Sequence, residues 1–336
     1  MILPVKAGQT NYDIVIEPGC LKRAGELLNL KRKVLIVTDN GVPNQYAQTL
    51  ASFCDTPVIK CVPQGEGSKS FKVLEELEIL LMENNFSRTD CVVAVGGGVV
   101  GDLSGFTAAC YMRGIDFYNI PTTVLSQVDS SIGGKTAINL GSIKNIVGAF
   151  YPPKKVLIDV ELLKTLPQRQ ISNGLAEAVK MSLTSDAELF NIFENGNIEA
   201  SLQTIIEKSL RIKKYVVEED EKEMGLRKIL NFGHTIGHGI ESFENLSGLY
   251  HGECVALGML PMCSDNVRAR LVKVLQKLNL PTACTLDMQK VFEAMTHDKK
   301  TSGTSITITT VEKVGEFTLS KVPVSSLSQK LQMFTK

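Results

Sequence analysis

Three of the four histidines in this chain lie in one short stretch of the sequence, at His234, His238 and His251. On a helix, the four-residue spacing of His234 and His238 would place both rings on one face, where they could approach a single metal ion or substrate. The same spacing also suits two ordinary polar or capping histidines. His251 stands directly before Gly252 and Glu253, and a third histidine beside a carboxylate favours a functional site.

The helix predicted after Pro167 carries Glu177 and Lys180 on one face. A buried carboxylate there would be costly unless it were paired or bound to a metal, so the two residues form either part of a site or a surface ion pair. A second helix, predicted from about residue 198 to 217, has Lys213 at the edge of its apolar face. That lysine either extends along apolar surface or is functional.

A line of polar residues leads along the chain towards the histidines. Glu223, Arg227 and Asn231 follow one another at four-residue intervals. Glu223 ends an acidic run that would, by itself, be interpreted as a solvated surface. The regular spacing extends a polar face towards His234 and His238.

The first part of the chain alternates between short β-branched runs and helical periods. Strands are predicted over 34–39, 58–62 and 91–95, with helices over 42–53 and from Phe71. This alternation predicts parallel strands joined by crossover helices, and therefore a Rossmann-like, doubly wound nucleotide-binding fold with a mainly parallel sheet. Helical periodicity dominates the remainder. We place the boundary between an α/β domain, residues 1–155, and a mostly α-helical domain, residues 156–336, in the passage that separates the two patterns.

A glycine-rich turn follows the strand predicted at 91–95. Residues 96–102 satisfy the Gly-x-Gly-x-x-Gly pattern, in which glycines let the backbone approach a pyrophosphate at a helix N-terminus. The alternative is a tight turn with close helix packing. Asp39, at a strand end, and Glu66 with Lys69, in a turn, are candidate ribose partners. A second glycine-rich segment, 129–136, forms with the following lysine and asparagine either an anion cradle or solvated surface.

Composition narrows the function classes. Lys plus Arg and Asp plus Glu each total 36, so no global charge attracts the chain to nucleic acid or to an anionic membrane. No apolar run is long enough to span a bilayer, and the N-terminus lacks the pattern of a signal peptide, so a cytoplasmic location is expected. The eight cysteines include no Cys-x-x-Cys pair, and we expect reduced core thiols.

An ordered series of motifs across nearly the whole chain resembles the 3-dehydroquinate synthase family of sugar phosphate cyclases. The motifs are GGGVVGD (96–102), YMRG (111–114), PTT (121–123), QVDSSIGGKT (127–136), KNIVGAFY (144–151), LKTLP (163–167), LAEAVK (175–180), GLRKILNFGHT (225–235), HGE (251–253) and DKK (298–300).

The resemblance implies a lyase that converts the seven-carbon sugar acid phosphate DAHP into 3-dehydroquinate and phosphate, in the shikimate pathway to chorismate and the aromatic amino acids. NAD then acts as a catalyst. Oxidation at one carbon acidifies the neighbouring proton, phosphate leaves by elimination, the hydride returns, and the opened ring closes by an aldol step.

The resemblance also assigns residues. The metal, zinc or cobalt, is bound by Glu177, His234 and His251, and His238 instead contacts the substrate or handles a proton. Phosphate is bound by Lys135, Asn145, Arg227, Lys299 or Lys300, and by Arg113, which reaches across from the partner in the family's homodimer. The substrate's hydroxyls and carboxylate are held by Asp129, Lys180, Lys213, Glu223 and Asn231. NAD contacts are Asp39, Glu66, Lys69, Gly97, Gly98, Val99, Asp102, Thr122, Thr123, Lys135, Lys144 and Thr165.

By the same resemblance, domain 1–155 binds NAD, domain 156–336 binds metal and substrate, and the active site is expected in the cleft between them. The chain departs from the family where Leu140 replaces a common histidine and where the region 258–298 is shorter. Three alternatives share some of these features: a related cyclase making an inosose or valiolone, a metal-dependent NAD polyol dehydrogenase, and a non-catalytic NAD- or zinc-binding module. Arg113, Lys213, Asn145 and the 298–300 motif argue against the first.

Overall fold

The computed structural model describes residues 1–8, 10–141, 143–220, 223, 225–244, 248–285, 287–297 and 305–334. Lys299 and Lys300, two predicted phosphate contacts, lie outside these ranges. The chain divides into two units, Met1–Leu166 and Pro167–Lys336. The sequence-based boundary after residue 155 differs from this division, because the strand Lys155–Ile158 pairs within the sheet of the first unit.

The first unit alternates strands and helices along the chain. Its strands are β1 (Ile2–Ala7), β2 (Thr10–Ile16), β3 (Lys33–Asp39), β4 (Thr56–Val62), β5 (Cys91–Gly96), β6 (Asp116–Pro121), β7 (Lys135–Leu140), β8 (Ile143–Phe150) and β9 (Lys155–Ile158). Its helices are α1 (Ala24–Leu27), α2 (Asn44–Ala51), α3 (Phe71–Glu83) and α4 (Gly98–Cys110). Short 3-10 or π turns occur at Cys20–Arg23, Glu66–Ser68, Tyr111–Arg113, Ser126–Ser130 and Val160–Thr165.

The main sheet has the strand order β1-β2-β9-β6-β5-β3-β4. Strands β1 and β2 pair antiparallel, and the other neighbours in this sheet pair parallel. Strands β7 and β8 form a separate antiparallel hairpin. The glycine-rich pattern predicts turns in this region, whereas in the structure Lys135 begins β7 and Asn145 lies within β8.

Both faces of the main sheet are covered by hydrophobic side chains. In β3, Val34 and Ile36 contribute to one core cluster, while Leu35 and Val37 contribute to the other. Helix α2 packs on the first cluster, and helices α3 and α4 pack on the second. Because successive residues of a strand point to opposite faces, this alternation requires helices on both sides. The prediction of a doubly wound α/β fold is therefore confirmed.

The second unit is mostly helical. Its helices are α5 (Gln168–Ser185), α6 (Ala187–Asn195), α7 (Leu202–Glu219), α8 (His234–Glu244), α9 (His251–Met259), α10 (Asp265–Lys277), α11 (Met288–His297) and α12 (Leu327–Leu331). Strands β10 (Ser305–Thr310) and β11 (Thr318–Pro323) form a hairpin that the sequence analysis did not predict. Short 3-10 turns occur at Leu226–Asn231, Leu260–Met262, Val324–Ser326 and Gln332–Phe334. The predicted helical character of this part of the chain is confirmed.

Helices α8 and α9 pack at close range and run antiparallel. A methyl group on Gly258 would collide with the carbonyl oxygen of Gly233, and one on Gly237 would lie 3.0 Å from the carbonyl oxygen of Cys254. Glycine at 237 and 258 therefore allows the two backbones to approach closely. The packing brings the histidine-bearing parts of the two helices together.

Within the described ranges, no helix combines the length and apolar character needed to cross a bilayer. All eight cysteines are free thiols. The expected core position holds for Cys20, Cys91, Cys254 and Cys263, whereas Cys54 and Cys284 are partly buried and Cys61 and Cys110 are exposed.

Candidate active site

Three predicted metal ligands converge in the second unit. Glu177 comes from the middle of α5, His234 is the first residue of α8, and His251 is the first residue of α9. Oε1 of Glu177 lies 3.5 Å from Nε2 of His234 and 3.4 Å from Nε2 of His251. Ligand atoms of a tetrahedral zinc site, with bonds of about 2.0–2.1 Å, lie about 3.3 Å apart. The donor atoms therefore have the spacing that such a site needs.

The chemistry of Glu177 also fits a bound cation. Its side chain is 1% exposed; Lys180 forms an ion pair with Oε2, and the rings of His234 and His251 lie against Oε1. An ionised carboxylate buried in this way is costly unless opposite charge compensates it. A divalent ion held by Glu177 and the two imidazoles would supply that compensation. The alternative of a surface ion pair between Glu177 and Lys180 is wrong, because both residues are buried.

Each ligand histidine is oriented by a hydrogen bond to its other ring nitrogen. Nδ1 of His234 lies 3.2 Å from the carbonyl oxygen of Phe232, and Nδ1 of His251 lies 3.0 Å from a carboxylate oxygen of Glu241. Both acceptors favour a proton on Nδ1. In His234 this leaves the lone pair of Nε2 facing Glu177, whereas His251 would have to release its Nε2 proton to bind a metal. Partners of this kind fix the tautomer and ring orientation of metal-binding histidines.

The electrostatics of the cluster distinguish its members. Burial, together with the charge of Lys180, lowers the pKa of His234 to about 3. For His251, burial favours the neutral ring, but hydrogen bonds to Glu177 and Glu241 outweigh it and raise the pKa to about 10. Burial likewise opposes ionisation of Glu177, yet Lys180 and the histidines hold its pKa well below the usual range. Glu177 and His234 are therefore already in the protonation states that bind metal.

His238 occupies a different position from His234. Its ring is exposed, with the centroid 5.1 Å from that of His234 and 5.9 Å from that of His251. His238, Glu241 and His251 form one group, in which the candidate ligand atoms lie within 4.8 Å of one another. The group that contains Glu177 includes His234 and His251 instead. The i, i+4 pair is thus divided between two environments.

A cavity of about 610 Å³ lies beside these histidines within the second unit. Of the predicted site residues, Glu223, Asn231, His234 and His238 line it. The Asn231 amide donates to Oε1 of Glu223 at 2.9 Å, and Glu223 adopts a left-handed backbone conformation with φ of 61°. The polar line predicted from the four-residue spacing therefore faces a cavity.

The sequence analysis missed several residues that line this cavity. They are Lys228, Thr235, Gly239, Ser242, Met295, Ser305, Ile306, Thr307 and Val324. Thr235 and Ser242, three residues before and four residues after His238, share its helix face, and this spacing is a signal that could have found two of them. The residues of β10 carried no comparable signal.

Other predicted substrate residues are buried cations in the same unit. Lys180 is 2% exposed, Lys213 is 6% exposed and Arg227 is 4% exposed. Asp220 shapes the segment that carries Arg227, because its carboxylate accepts from the backbone N–H groups of Gly225 at 2.7 Å and Arg227 at 2.9 Å. None of these three cations is among the described residues that line the cavity.

In the first unit, several predicted NAD contacts gather around the glycine-rich turn. Gly97, Gly98 and Val99 connect β5 to α4. The N–H of Thr122 donates to the carbonyl of Gly96 at 2.9 Å, and a methyl group on Gly97 would lie 3.1 Å from the side chain of Thr123. These residues lie at the carboxyl ends of adjacent parallel strands, the edge at which doubly wound sheets bind ligands.

A second group of predicted NAD contacts is joined by hydrogen bonds. The buried Lys69 ammonium lies 2.6 Å from Oδ2 of Asp102 and also donates to the side chain of Asn145. Glu66 accepts from Asn139 at 2.9 Å. Asn145, which the resemblance assigned to phosphate, therefore lies among the predicted NAD contacts in the structure.

The remaining predicted residues of the first unit lie outside these two groups. Asp39 ends β3, where its carboxylate accepts from the N–H of Gly41 at 2.8 Å and burial raises its pKa. Thr165 hydrogen-bonds to the hydroxyl of Tyr46 at 2.9 Å. The others are Arg113, which has a φ of 69°, Lys135 and Lys144, which are exposed, and Asp129, which is partly buried.

Comparison with known proteins covers both units. The family model for the 3-dehydroquinate synthase N-terminal domain matches residues 59–173, and that for the C-terminal domain matches residues 174–301. A curated 3-dehydroquinate synthase from Streptococcus thermophilus is 38% identical, covering 99% of this chain and 100% of the relative. One from Enterococcus faecalis is 40% identical and covers 97% of each chain.

Solved structures of sugar phosphate cyclases share the fold. A 2-deoxy-scyllo-inosose synthase complexed with carbaglucose-6-phosphate, NAD+ and Co2+ superposes with a TM-score of 0.88 at 25% identity, covering 99% of this chain and 100% of the other. The 2-epi-5-epi-valiolone synthase of Streptomyces hygroscopicus, with NAD+ and Zn2+ bound, gives 0.87 at 26% identity, covering 98% of each. The two family models and the closely similar curated relatives together show that the chain belongs to the 3-dehydroquinate synthase family.

Proposed function

We propose that this chain is a 3-dehydroquinate synthase, a lyase that converts DAHP into 3-dehydroquinate and inorganic phosphate. The observation that carries the proposal is the convergence of Glu177, His234 and His251 beside a polar cavity in a chain of this family. Two structural relatives hold NAD+ together with Co2+ or Zn2+, which supports the same pair of cofactors here.

The triad of Glu177, His234 and His251 would hold one zinc or cobalt ion. When bound, the ion supplies Lewis acidity that stabilises negative charge on a substrate oxygen. One carboxylate and two neutral imidazoles leave the ion with net positive charge and with positions for substrate, as a catalytic site requires. Lys180 holds a second positive charge against the same carboxylate.

The cavity residues would orient the substrate. The hydrogen bond between Asn231 and Glu223 fixes both side chains, which leaves their remaining polar atoms directed to substrate hydroxyls. His238 would hold or release a proton at a ring nitrogen facing the cavity. Lys213 and Arg227, together with Lys180, would bind the carboxylate and the departing phosphate, whose charge grows as it leaves.

The first unit would bind NAD, which supplies a temporary hydride acceptor. The backbone of Gly97, Gly98 and Val99 would approach the pyrophosphate at the N-terminus of α4. The other NAD contacts that we propose are the residues that the family resemblance assigns to NAD. The Lys69–Asp102 ion pair would fix the position of both side chains.

A homodimer is proposed, with Arg113 contributing to the partner's phosphate pocket. In support, Arg113 is exposed beside Met112, which is 43% exposed, and the β7–β8 hairpin exposes Ile146 at 58% and Phe150 at 57%. Exposed apolar groups of this size are common at protein interfaces. Light scattering should give twice the chain mass, and a monomer at micromolar concentration would contradict the proposal.

Another sugar phosphate cyclase activity is the second candidate, because the fold matches an inosose synthase with a TM-score of 0.88. The identity to curated 3-dehydroquinate synthases, 38–40% in the two relatives compared above, exceeds the 25% identity to that structure and favours the first candidate.

The test is to incubate the purified protein with zinc, a catalytic amount of NAD and either DAHP or glucose 6-phosphate. Phosphate release and cyclic product are measured in each case. We expect phosphate and 3-dehydroquinate to form only when DAHP is the substrate, and we expect no net accumulation of NADH. Turnover of another sugar phosphate would favour the second candidate, and one NADH accumulating per substrate would identify a dehydrogenase instead.

A further inference from the structure

One face of α5 carries a row of polar residues that reaches the metal triad. Arg169, Asn173 and Glu177 are spaced four residues apart, so their side chains lie on the same side of the helix. Glu177 is a triad ligand, whereas Arg169 and Asn173 have no role in the proposed chemistry. Asn173 is 6% exposed, and such burial of an amide requires hydrogen-bond partners.

The three side chains meet three consecutive residues at the start of α9. Arg169 forms two hydrogen bonds with the carboxylate of Glu253, at 2.7 and 2.8 Å. Asn173 accepts from the N–H of Gly252 at 2.6 Å, and Glu177 lies against His251. The order 169, 173, 177 on α5 thus matches the order 253, 252, 251 on α9.

The contact between these helices is too close for a side chain at position 252. A methyl group on Gly252 would collide with the carbonyl oxygen of Asn173 and would lie 2.9 Å from its Oδ1. The residue before the metal ligand is also held, because the N–H of Tyr250 donates to Glu253 at 2.8 Å and the Arg169 guanidinium stacks 4.1 Å from the Tyr250 ring centre. His251 is therefore flanked on both sides by residues that this network immobilises.

We propose that the Arg169–Glu253 pair and Asn173 are positioning residues that set His251 against Glu177 for metal binding. This inference rests on the metal triad of the proposed function. The ligands come from separate helices, so the metal site exists only when α9 begins at the correct place along α5. A two-pronged guanidinium–carboxylate contact defines that register better than a single hydrogen bond, because its planar geometry fixes direction as well as distance.

The second unit contains a matched pair that allows this role to be separated from simple stabilisation. Arg270 forms two hydrogen bonds with Glu194, at 2.8 and 2.6 Å, and its guanidinium lies 5.2 Å from the ring centre of Phe190. This pair joins α10 to α6, neither of which carries a triad ligand. Arg169 and Arg270 side chains are 51% and 42% exposed, so the two pairs are similarly solvated.

The experiment measures Co2+ affinity by chelator competition, the visible absorption spectrum of bound Co2+, NAD affinity, and urea unfolding of the metal-free protein. We compare wild type with Arg169→Met, Arg169→Lys, Glu253→Gln, Arg270→Met and His251→Ala.

We expect Arg169→Met to raise the Co2+ dissociation constant about 10–100-fold and to change the absorption spectrum, as loss of a residue that orients a metal ligand does in other proteins. Arg169→Lys should retain part of the affinity. Arg270→Met should alter unfolding to a similar extent but leave Co2+ affinity within about twofold.

Unchanged Co2+ affinity and spectrum in Arg169→Met and Glu253→Gln would overturn the positioning role, and so would an equal loss in Arg270→Met. Glu253→Gln keeps the test decisive if Arg169→Met does not fold, because it preserves the size of the side chain while removing its charge. A different result is expected if Glu177, His234 and His251 do not bind the metal at all. Wild type would then bind no stoichiometric Co2+, or His251→Ala would bind Co2+ as tightly as wild type. Either of those results would overturn both proposals.

Discussion

The two units bring their candidate residues together in different ways. In the first unit, Gly97 and Thr122 follow neighbouring parallel strands, and a backbone hydrogen bond of 2.9 Å joins Thr122 to Gly96. In the second unit, Glu177, His234 and His251 come from three helices and meet through buried charged side chains. The first arrangement follows from the order of strands in a sheet, whereas the second depends on helix packing. A single substitution should therefore have a larger effect in the second unit.

The largest effect is expected from His251→Ala. Loss of one of three protein ligands should abolish stoichiometric metal binding and reduce DAHP turnover by at least about 1,000-fold, because the remaining donors cannot hold the ion. NAD affinity should stay within about twofold of wild type, since its proposed contacts lie in the first unit. Metal content by atomic emission and NAD titration measure the two effects separately.

His238→Ala provides the matched comparison on the other side of the histidine cluster. Because His238 lies outside the group that contains Glu177, this variant should keep one metal per chain while turnover falls. Loss of metal from His238→Ala together with its retention in His251→Ala would reverse the assignment of the ligands.

Gly252→Ala should be the next most disruptive change. The added methyl group would collide with the Asn173 backbone, so α9 must shift relative to α5. We expect the free energy of unfolding to fall by about 3 kcal/mol. Gly67→Ala is the control in the first unit, because nothing lies within 4 Å of its added methyl group. By urea denaturation, the free energy of unfolding of Gly67→Ala should lie within about 0.5 kcal/mol of wild type. Equal losses in Gly252→Ala and Gly67→Ala would argue against close packing at position 252.

Lys69→Met tests whether the first unit also depends on a buried charge. Lys69 is paired with Asp102, and their side chains are 2% and 22% exposed. Leaving that carboxylate without its cation should cost about 2 kcal/mol of unfolding free energy and raise the NAD dissociation constant about tenfold. Lys60→Met removes a more exposed pair with Glu76, 3.1 Å long, and should cost less than about 1 kcal/mol. Calorimetric NAD titration that gave equal affinities for both variants would contradict the prediction.

Sequence periodicity predicted the elements whose burial is regular. Strand β3 is buried along its length, and α3 presents Leu74, Leu77 and Leu81 at helical spacing. The β7–β8 hairpin was not predicted, because its second strand is mostly exposed and follows glycine-rich turns, so no alternation marks it. Strand β9 is short and follows two prolines, which explains why it was interpreted as a passage between domains.

Which of the two histidines on α8 lies against Glu177 could not be predicted from local spacing alone. His234 and His238 are equivalent on the face of a helix, and only the tertiary contact with α5 brings one of them to Glu177. The resemblance to a family carried this information, since the motifs retain residues that are distant in sequence. The burial of Lys180 beside Glu177 was likewise set by packing around α5, which a short sequence window does not contain.

The smallest effect is expected at Glu78, a carboxyl group whose surroundings are opposite to those of Glu177. Glu177 is surrounded by cations, which hold its pKa below the usual range despite burial. Glu78 on α3 has a buried oxygen without a hydrogen bond, and burial raises the pKa of its carboxyl group to about 7. The difference shows that burial alone favours the neutral acid, and that neighbouring cations reverse this preference.

Glu78→Gln should therefore change stability in a pH-dependent way. Because the folded pKa lies above the unfolded one, the protonated group contributes stability below about pH 4.5, and this contribution is lost as pH rises through about 7. Relative to wild type, the variant should be unchanged at pH 5 and more stable by about 1 kcal/mol at pH 8, a value reduced from the full shift because Glu78 is partly exposed. Urea denaturation at both pH values measures the difference.

Glu75→Gln, at an exposed position on the same helix, is the control and should show no such dependence on pH. A gain in stability of Glu78→Gln that did not depend on pH would indicate that packing rather than ionisation is responsible.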